Sequence, residues 1–213
     1  EKGSGLLRNL PRLEAFLADV CGRSPLPVSV KTRIGIANDD ESDELLALFC
    51  RCGIAELIVH PRVQKDFYDG APRQELYGKT LERAPFPVAY NGDIFTLDDF
   101  NTLVAAYPQT RHVIIGRGLL ANPALAREIR GGGGLTCEEL KRVHDKLYES
   151  YANDMGGNAV FRMKEWWSYA KCCFVDPASV HLAVRGVRGQ TEYTEAVEHI
   201  IRTEALAAAP RLR

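Results

Sequence analysis

The 213-residue sequence lacks a net charge of any size, with 27 Lys and Arg against 28 Asp and Glu. No chain-wide basic field therefore attracts a polyanion, and any nucleic-acid contact must come from a local patch. It also lacks an apolar run long enough to span a bilayer, a secretory leader and a low-complexity tail. The expectation is a soluble, cytoplasmic setting with no membrane partner. Six cysteines are scattered as Cys21, Cys50, Cys52, Cys137, Cys172 and Cys173, with no CxxC pair and no His-rich spacing around them. That pattern argues for reduced structural thiols and against a metal site. An initiator methionine is missing too, and EKGSGLLRN leads straight through a Gly-rich loop into a helix. The chain is accordingly expected to be a piece of something longer.

What is present is an alternation of short strands and amphipathic helices. Asn9 is placed to cap a first helix whose apolar face is Leu10, Leu13, Phe16, Leu17 and Val20, ended by Gly22. A second helix uses Leu45, Leu46, Leu48, Phe49 and Cys52, with Gly53 just past its end. Strand-like runs stand at PVSVKTRIG, AELIVHP, PVAYN and HVIIGRG. They do not alternate cleanly between apolar and polar, as expected when both faces of a parallel sheet are covered. Asn91-Gly92 by itself would suit a hairpin turn. Thr96 with Asp99 can cap a helix built on Leu97, Phe100, Leu103, Val104 and Tyr107, so Asn91-Gly92-Asp93 is read as a βα loop.

Further on, Asn122 is read as a cap with Pro123 in the first helical position. Four glycines, Gly131 to Gly134, then mark a boundary. The predicted division is an α/β part over 1–130, a linker over 131–134 and an all-helical part over 135–213. Thr136 with Glu139 opens that last part as a capping box, Leu135 and Leu140 form a hydrophobic staple, and Gly156-Gly157 breaks its first helix.

All four strands end in polar or Gly-bearing groups: Lys31-Thr32-Arg33, His60-Pro61-Arg62, Asn91-Gly92-Asp93 and Gly116-Arg117-Gly118. In parallel α/β folds the site is built at those ends. Gly92, Gly116 and Gly118 let backbone N–H groups approach an anion, and Arg117 can hold it bidentately, which describes a phosphate cradle. In a (β/α)8 TIM barrel such a cradle commonly follows strands seven and eight. The four strands are therefore predicted to be strands five to eight, with one to four absent from this chain.

SVKTRIG, LIVHPRVQKDFYDG, VAYNGDI and VIIGRGLLANP, in this order and spacing, resemble the tRNA-dihydrouridine synthase family. The resemblance implies an FMN-dependent enzyme that reduces uridine in tRNA with NADPH, hydride passing to uridine C6 and a cysteine acid protonating C5. It places Lys31 on the flavin pyrimidine edge and His60 beside flavin and substrate base. Arg62 becomes a substrate-side candidate, although Pro61 and Val63 depart from the commoner His-Gly-Arg-Thr form. Asn91, Gly92 and Asp93 would close over the ribityl chain and phosphate, with Asp93 on hydroxyls or ordering the loop, and Gly116-Arg117 would complete the phosphate grip. None of the six cysteines fits the family's acid, which is expected upstream.

The helical part resembles the family's tRNA-binding domain more loosely. There Arg162, Lys164 and Lys171 interleave with Trp166 and Trp167, a pattern that suits phosphate contact with base stacking, while Trp at helical spacing also suits a core. Two other readings stay open at this point. One is an FMN barrel reductase of a small molecule, such as a dihydroorotate dehydrogenase relative, and the other is a non-catalytic RNA-binding fragment.

Overall fold

A computed structural model describes residues 3–208. Two compact units are present. The first runs to Asp93 and resumes over Leu103–Ile115, and the second takes Ile94–Thr102 and the described residues from Gly116 onward.

The first unit is built on one parallel sheet of β1 (Ser29–Gly35), β2 (Glu56–Val63), β3 (Val88–Asn91) and β4 (His112–Ile114), in that spatial order. Each strand pairs with the next in sequence, as a run of βα units requires. One face carries Ile34, Leu57, Val59, Val88 and Tyr90, all buried, and packs against α2 (Glu41–Arg51) and α3 (Gln74–Arg83). The register aligns Lys31 with Ile58, Arg33 with His60, Ala89 with His112, and Asn91 with Ile114, so these residues share the opposite face. On it Ser29, Lys31, His112 and Ile114 are exposed. The sequence pattern predicts strands covered on both faces; on this face Ala89 and His60 of the inner strands are buried, and the exposed residues stand on the outer strands β1 and β4. Among the described residues β1 and β4 pair on one side only. A parallel sheet of four strands joined by βα units is the material of an α/β layer or barrel.

In the second unit α7 (Cys137–Met155), α8 (Ala159–Ala170), α9 (Pro177–Arg185) and α10 (Gln190–Thr203) surround Leu140, Met163, Trp167, Val180, Tyr193 and Ile200. Two short helices, α5 (Arg117–Ala121) and α6 (Leu125–Ile129), belong to the same unit. Cys173 Sγ donates to the Ala121 carbonyl. Arg127 reaches across the glycine run, donating to the carbonyls of Gly133 and Gly134 and pairing with Glu139 at 2.6 Å. Compactness therefore divides the chain beside Gly116, with Gly131–Gly134 folded inside the second unit.

Helix ends follow the local chemistry in most places. Asn9 caps α1 (Leu10–Arg23) by accepting from Arg12 N, and Thr136 and Glu139 cap each other's backbone ahead of α7. Thr96 and Asp99 do the same ahead of α4 (Leu97–Ala106). Gly53 and Gly156 adopt positive φ, +70° and +56°, where helices α2 and α7 stop. Gly22 does not end α1, which continues to Arg23 with Ser24 in the capping position. Asn122 turns the chain by accepting from Ala124 N, and α6 starts at Leu125 rather than at Pro123. Among the described residues no helix is long and apolar enough to cross a membrane.

Candidate cofactor and substrate site

The open side of β1 forms one wall of a cavity of about 810 Å³, lined by residues of both its faces from Val28 to Arg33 together with His60, a volume within the usual range for small-molecule sites. Leu13, Leu17 and Phe49 give it an apolar side, and Lys31, Arg33, His60 and Tyr68 give it a polar one. Lys31 and Arg33 are two residues apart on β1 and so point to the same side, and the register sets Arg33 beside His60. Among the described lining residues there is no carboxylate. Positive groups therefore converge without a countercharge in the wall, an arrangement that suits an anion or an electron-rich ring edge.

The titration of these groups reflects that crowding. His60 is 7% exposed, and burial, then Arg33, Lys31 and Arg62, push it down to about 4 against the pull of Asp93. It is a neutral imidazole at physiological pH. Partial burial, followed by Arg33, also holds Lys31 below the ordinary lysine range. Arg33 is fixed by its own bonds, with Nη1 donating to the Val63 carbonyl and Nη2 to the Phe67 carbonyl, each at 2.7 Å. Its guanidinium lies 5.7 Å from the Tyr68 ring centroid.

The Arg62 side chain, the substrate-side candidate, is fully buried, donating to the Asp69 carbonyl and, at 2.5 Å, to Asp93 Oδ2. Arg62 ties the segment after β2 to the segment after β3. Asp93 correspondingly orders its loop through Arg62. Asn91 Nδ2 donates to the Ile114 carbonyl at 2.7 Å and holds the ends of β3 and β4 together. Gly92 has a local reason to be glycine, because a Cβ there would lie 2.1 Å from the Tyr90 hydroxyl oxygen. Backbone access for an anion is thus not needed to explain it.

Gly116 and Arg117 belong to the second unit, where Gly116 precedes α5 and the Arg117 guanidinium lies 5.6 Å from the Phe95 ring centroid. In the helical part, Trp166 and Trp167 are 6% and 1% exposed and sit in the core. Base stacking on these rings is excluded by that burial. Arg162 is exposed and pairs with Glu165 at 2.6 Å, and Lys171 is half-buried. Lys164 donates to the carbonyls of Arg185 and Val187, where its ammonium satisfies the end of α9. No cysteine lines the cavity among the described residues, and burial raises the thiols of Cys52, Cys172 and Cys173, the last to about 12. No group of His, Cys, Asp and Glu suited to a metal ion occurs among them either.

Sequence reasoning did not single out Arg33 and Tyr68 as site residues. The period of two along β1 was signal enough for Arg33, since it must share a face with Lys31. Tyr68 carried no such signal, because its position depends on how the segment after β2 folds back.

The model of the dihydrouridine synthase (Dus) family matches residues 1–173. The chain belongs to the dihydrouridine synthase family. The match extends past the glycine run into α8, so the helical part shares in it up to Cys173. Among curated relatives, a tRNA-dihydrouridine(16) synthase of Cupriavidus necator is 29% identical over 209 residues, 92% of this chain and 63% of its own length. One from Ralstonia nicotianae is 25% identical over 228 residues, 98% of this chain and 66% of its own. A third, from Pseudomonas syringae pv. tomato, is 32% identical over 129 residues, 60% of this chain and 40% of its own. The chain thus spans at most about two thirds of the length of these dihydrouridine synthases.

Proposed function

We propose that these residues are the C-terminal part of a tRNA-dihydrouridine synthase that uses FMN and NADPH to reduce a uridine of tRNA in the cytoplasm. The uridine at position 16 is the substrate suggested by the names of the three relatives. The reading includes a barrel of which residues 1–130 supply strands five to eight, an upstream half that supplies the others and the cysteine acid, and a tRNA-binding domain over 135–213. The observation that carries it is a parallel sheet whose strand β1 and neighbouring His60 bring Lys31, Arg33 and His60 to an 810 Å³ cavity with no carboxylate among its described lining residues. An FMN-sized anion with an electron-rich ring edge suits that donor set in charge and in size.

When bound, the flavin supplies hydride chemistry to the uracil ring. The residues of this chain do the holding. The Lys31 ammonium would hold negative charge at the pyrimidine edge of the flavin. His60 offers a neutral ring that donates or accepts a hydrogen bond without adding charge. Asn91, Gly92 and Asp93 are proposed for the ribityl and phosphate end, and Gly116 and Arg117 for the phosphate. A small-molecule reductase has no use for the helical part into which the family match extends.

The test is to compare residues 1–213 with the full-length protein for retained FMN and for NADPH-dependent dihydrouridine formation in unmodified tRNA. Retention and turnover are expected with the upstream half supplied. Turnover by residues 1–213 alone would refute the missing acid, and a full-length protein that takes up no flavin would refute the cofactor.

A further inference from the structure

The segment after β2 contains the one non-glycine residue with positive φ among the described residues, Phe67, at φ 49° and ψ −95°. That backbone conformation is costly for a bulky side chain and persists only where the surroundings impose it. Here they do. Arg33 donates to the Phe67 carbonyl, Phe67 N donates to the Gln64 carbonyl, and Arg62 donates to the Asp69 carbonyl. Asp66 accepts from Val63 N and pairs with Arg73, closing the base of the same segment. Three arginines thus hold a strained turn in place.

The strain is not repaid by packing, since Phe67 is 71% exposed and its neighbour Tyr68 is 57% exposed. Two consecutive aromatic side chains are therefore exposed, Tyr68 lining the cavity and Phe67 joined to it through the bond from Arg33 to its carbonyl. A flat apolar ring one residue from the Lys31, Arg33 and Tyr68 lining matches a ligand that is a flat ring attached to a phosphate chain. We propose that Phe67 is a substrate-contact residue, a stacking platform for an unpaired nucleobase adjoining the uridine that is reduced. The inference rests on the reading above that tRNA is the substrate. Every base has a π-face, so the contact adds affinity and holds the strand in place without reading a particular base.

Full-length protein carrying Phe67→Gly, Phe67→Ala and Phe67→Trp is compared with wild type for tRNA affinity, KM, kcat and Tm. Stacking of this kind predicts that the Gly and Ala variants lose about 5- to 150-fold in affinity for unmodified tRNA, mostly as KM. The Trp variant should retain it. Phe67→Gly should also keep or raise Tm, because glycine relieves the positive φ. Unchanged tRNA affinity in Phe67→Gly overturns the proposal. So does a fall in Tm for Phe67→Gly, which would show the ring packed within the full-length protein. If wild type itself neither binds nor reduces tRNA, the substrate reading fails first and this one with it.

Discussion

His60 and His144 are almost equally buried, 7% and 5% exposed, and both are held below the ordinary histidine value with burial as the leading cause. Their surroundings differ. Trp167 Nε1, which can only donate, gives its proton to the Tyr193 hydroxyl at 2.9 Å. The single proton of Tyr193 then goes to His144 Nε2 at 2.6 Å, so His144 carries its own on Nδ1 and donates to Asp145 at 2.9 Å. Every donor in that chain meets an acceptor, which is how a core accommodates polar groups. Around His60 the groups that act after burial are Arg33, Lys31 and Arg62, opposed by Asp93, and of the three cations Arg33 and Lys31 line the cavity while Arg62 is paired with Asp93. A folded core closes its charges on one another, whereas a binding site leaves charges of one sign converging on a space.

Substitutions on either side of this contrast should act differently. The greatest loss is expected from Arg62→Ala, which removes a fully buried guanidinium and leaves Asp93 and the Asp69 carbonyl without it. Loss of such a pair costs roughly 3–5 kcal/mol in urea unfolding. Arg62→Lys should recover little, because one ammonium does not span both acceptors. A loss under 1 kcal/mol would mean that the two segments are held by something else.

Next is the pH dependence of His60. Its folded value of about 4 lies below the ordinary 6.5, so the unfolded chain takes up the proton first as the pH falls. The contribution of the neutral ring is full above pH 6.5 and is lost through the window from 6.5 to 4, in total roughly 3 kcal/mol. Chemical unfolding of wild type and His60→Gln at several pH values isolates it as their difference. A difference independent of pH would mean that burial and the neighbouring cations do not act on the ring as described.

On the helical side, Tyr193→Phe leaves Trp167 Nε1 and His144 Nε2 without their shared partner. It should destabilise by roughly 1–3 kcal/mol and leave flavin affinity unchanged. The slightest change belongs to the surface. Neutralising Arg162 and Lys171 should lower the log–log salt slope of tRNA binding by about 0.7–0.9 for each phosphate no longer neutralised. Lys164 behaves differently, since its bonds to the end of α9 make its removal a stability effect.

How much of this was legible in the sequence depends on the range of the interaction. Caps and stops such as Asn9, Thr136 with Glu139, and Gly53 are settled within four residues, and there the chemistry was plain. Lys31 and His60 were legible as strand ends, and the family motifs gave them a role that spacing alone could not. The pairing of Arg62 with Asp93 was not legible because the two are 31 residues apart, and a strand-end arginine reads the same whether it turns outward or inward. Gly92 fits an anion cradle in sequence, yet its Cβ is forbidden by the hydroxyl of Tyr90, two residues back and visible only once the strand is folded. The two tryptophans obeyed the commoner rule for Trp at helical spacing and went to the core.

If the cationic rim of the cavity beside β1 holds a flavin, the midpoint potential of the bound cofactor must depend on Lys31. In full-length protein, Lys31→Met should retain FMN and lower that potential relative to wild type, because the reduced ring loses its nearest cation. A potential unchanged by Lys31→Met would mean that the flavin does not lie against this rim.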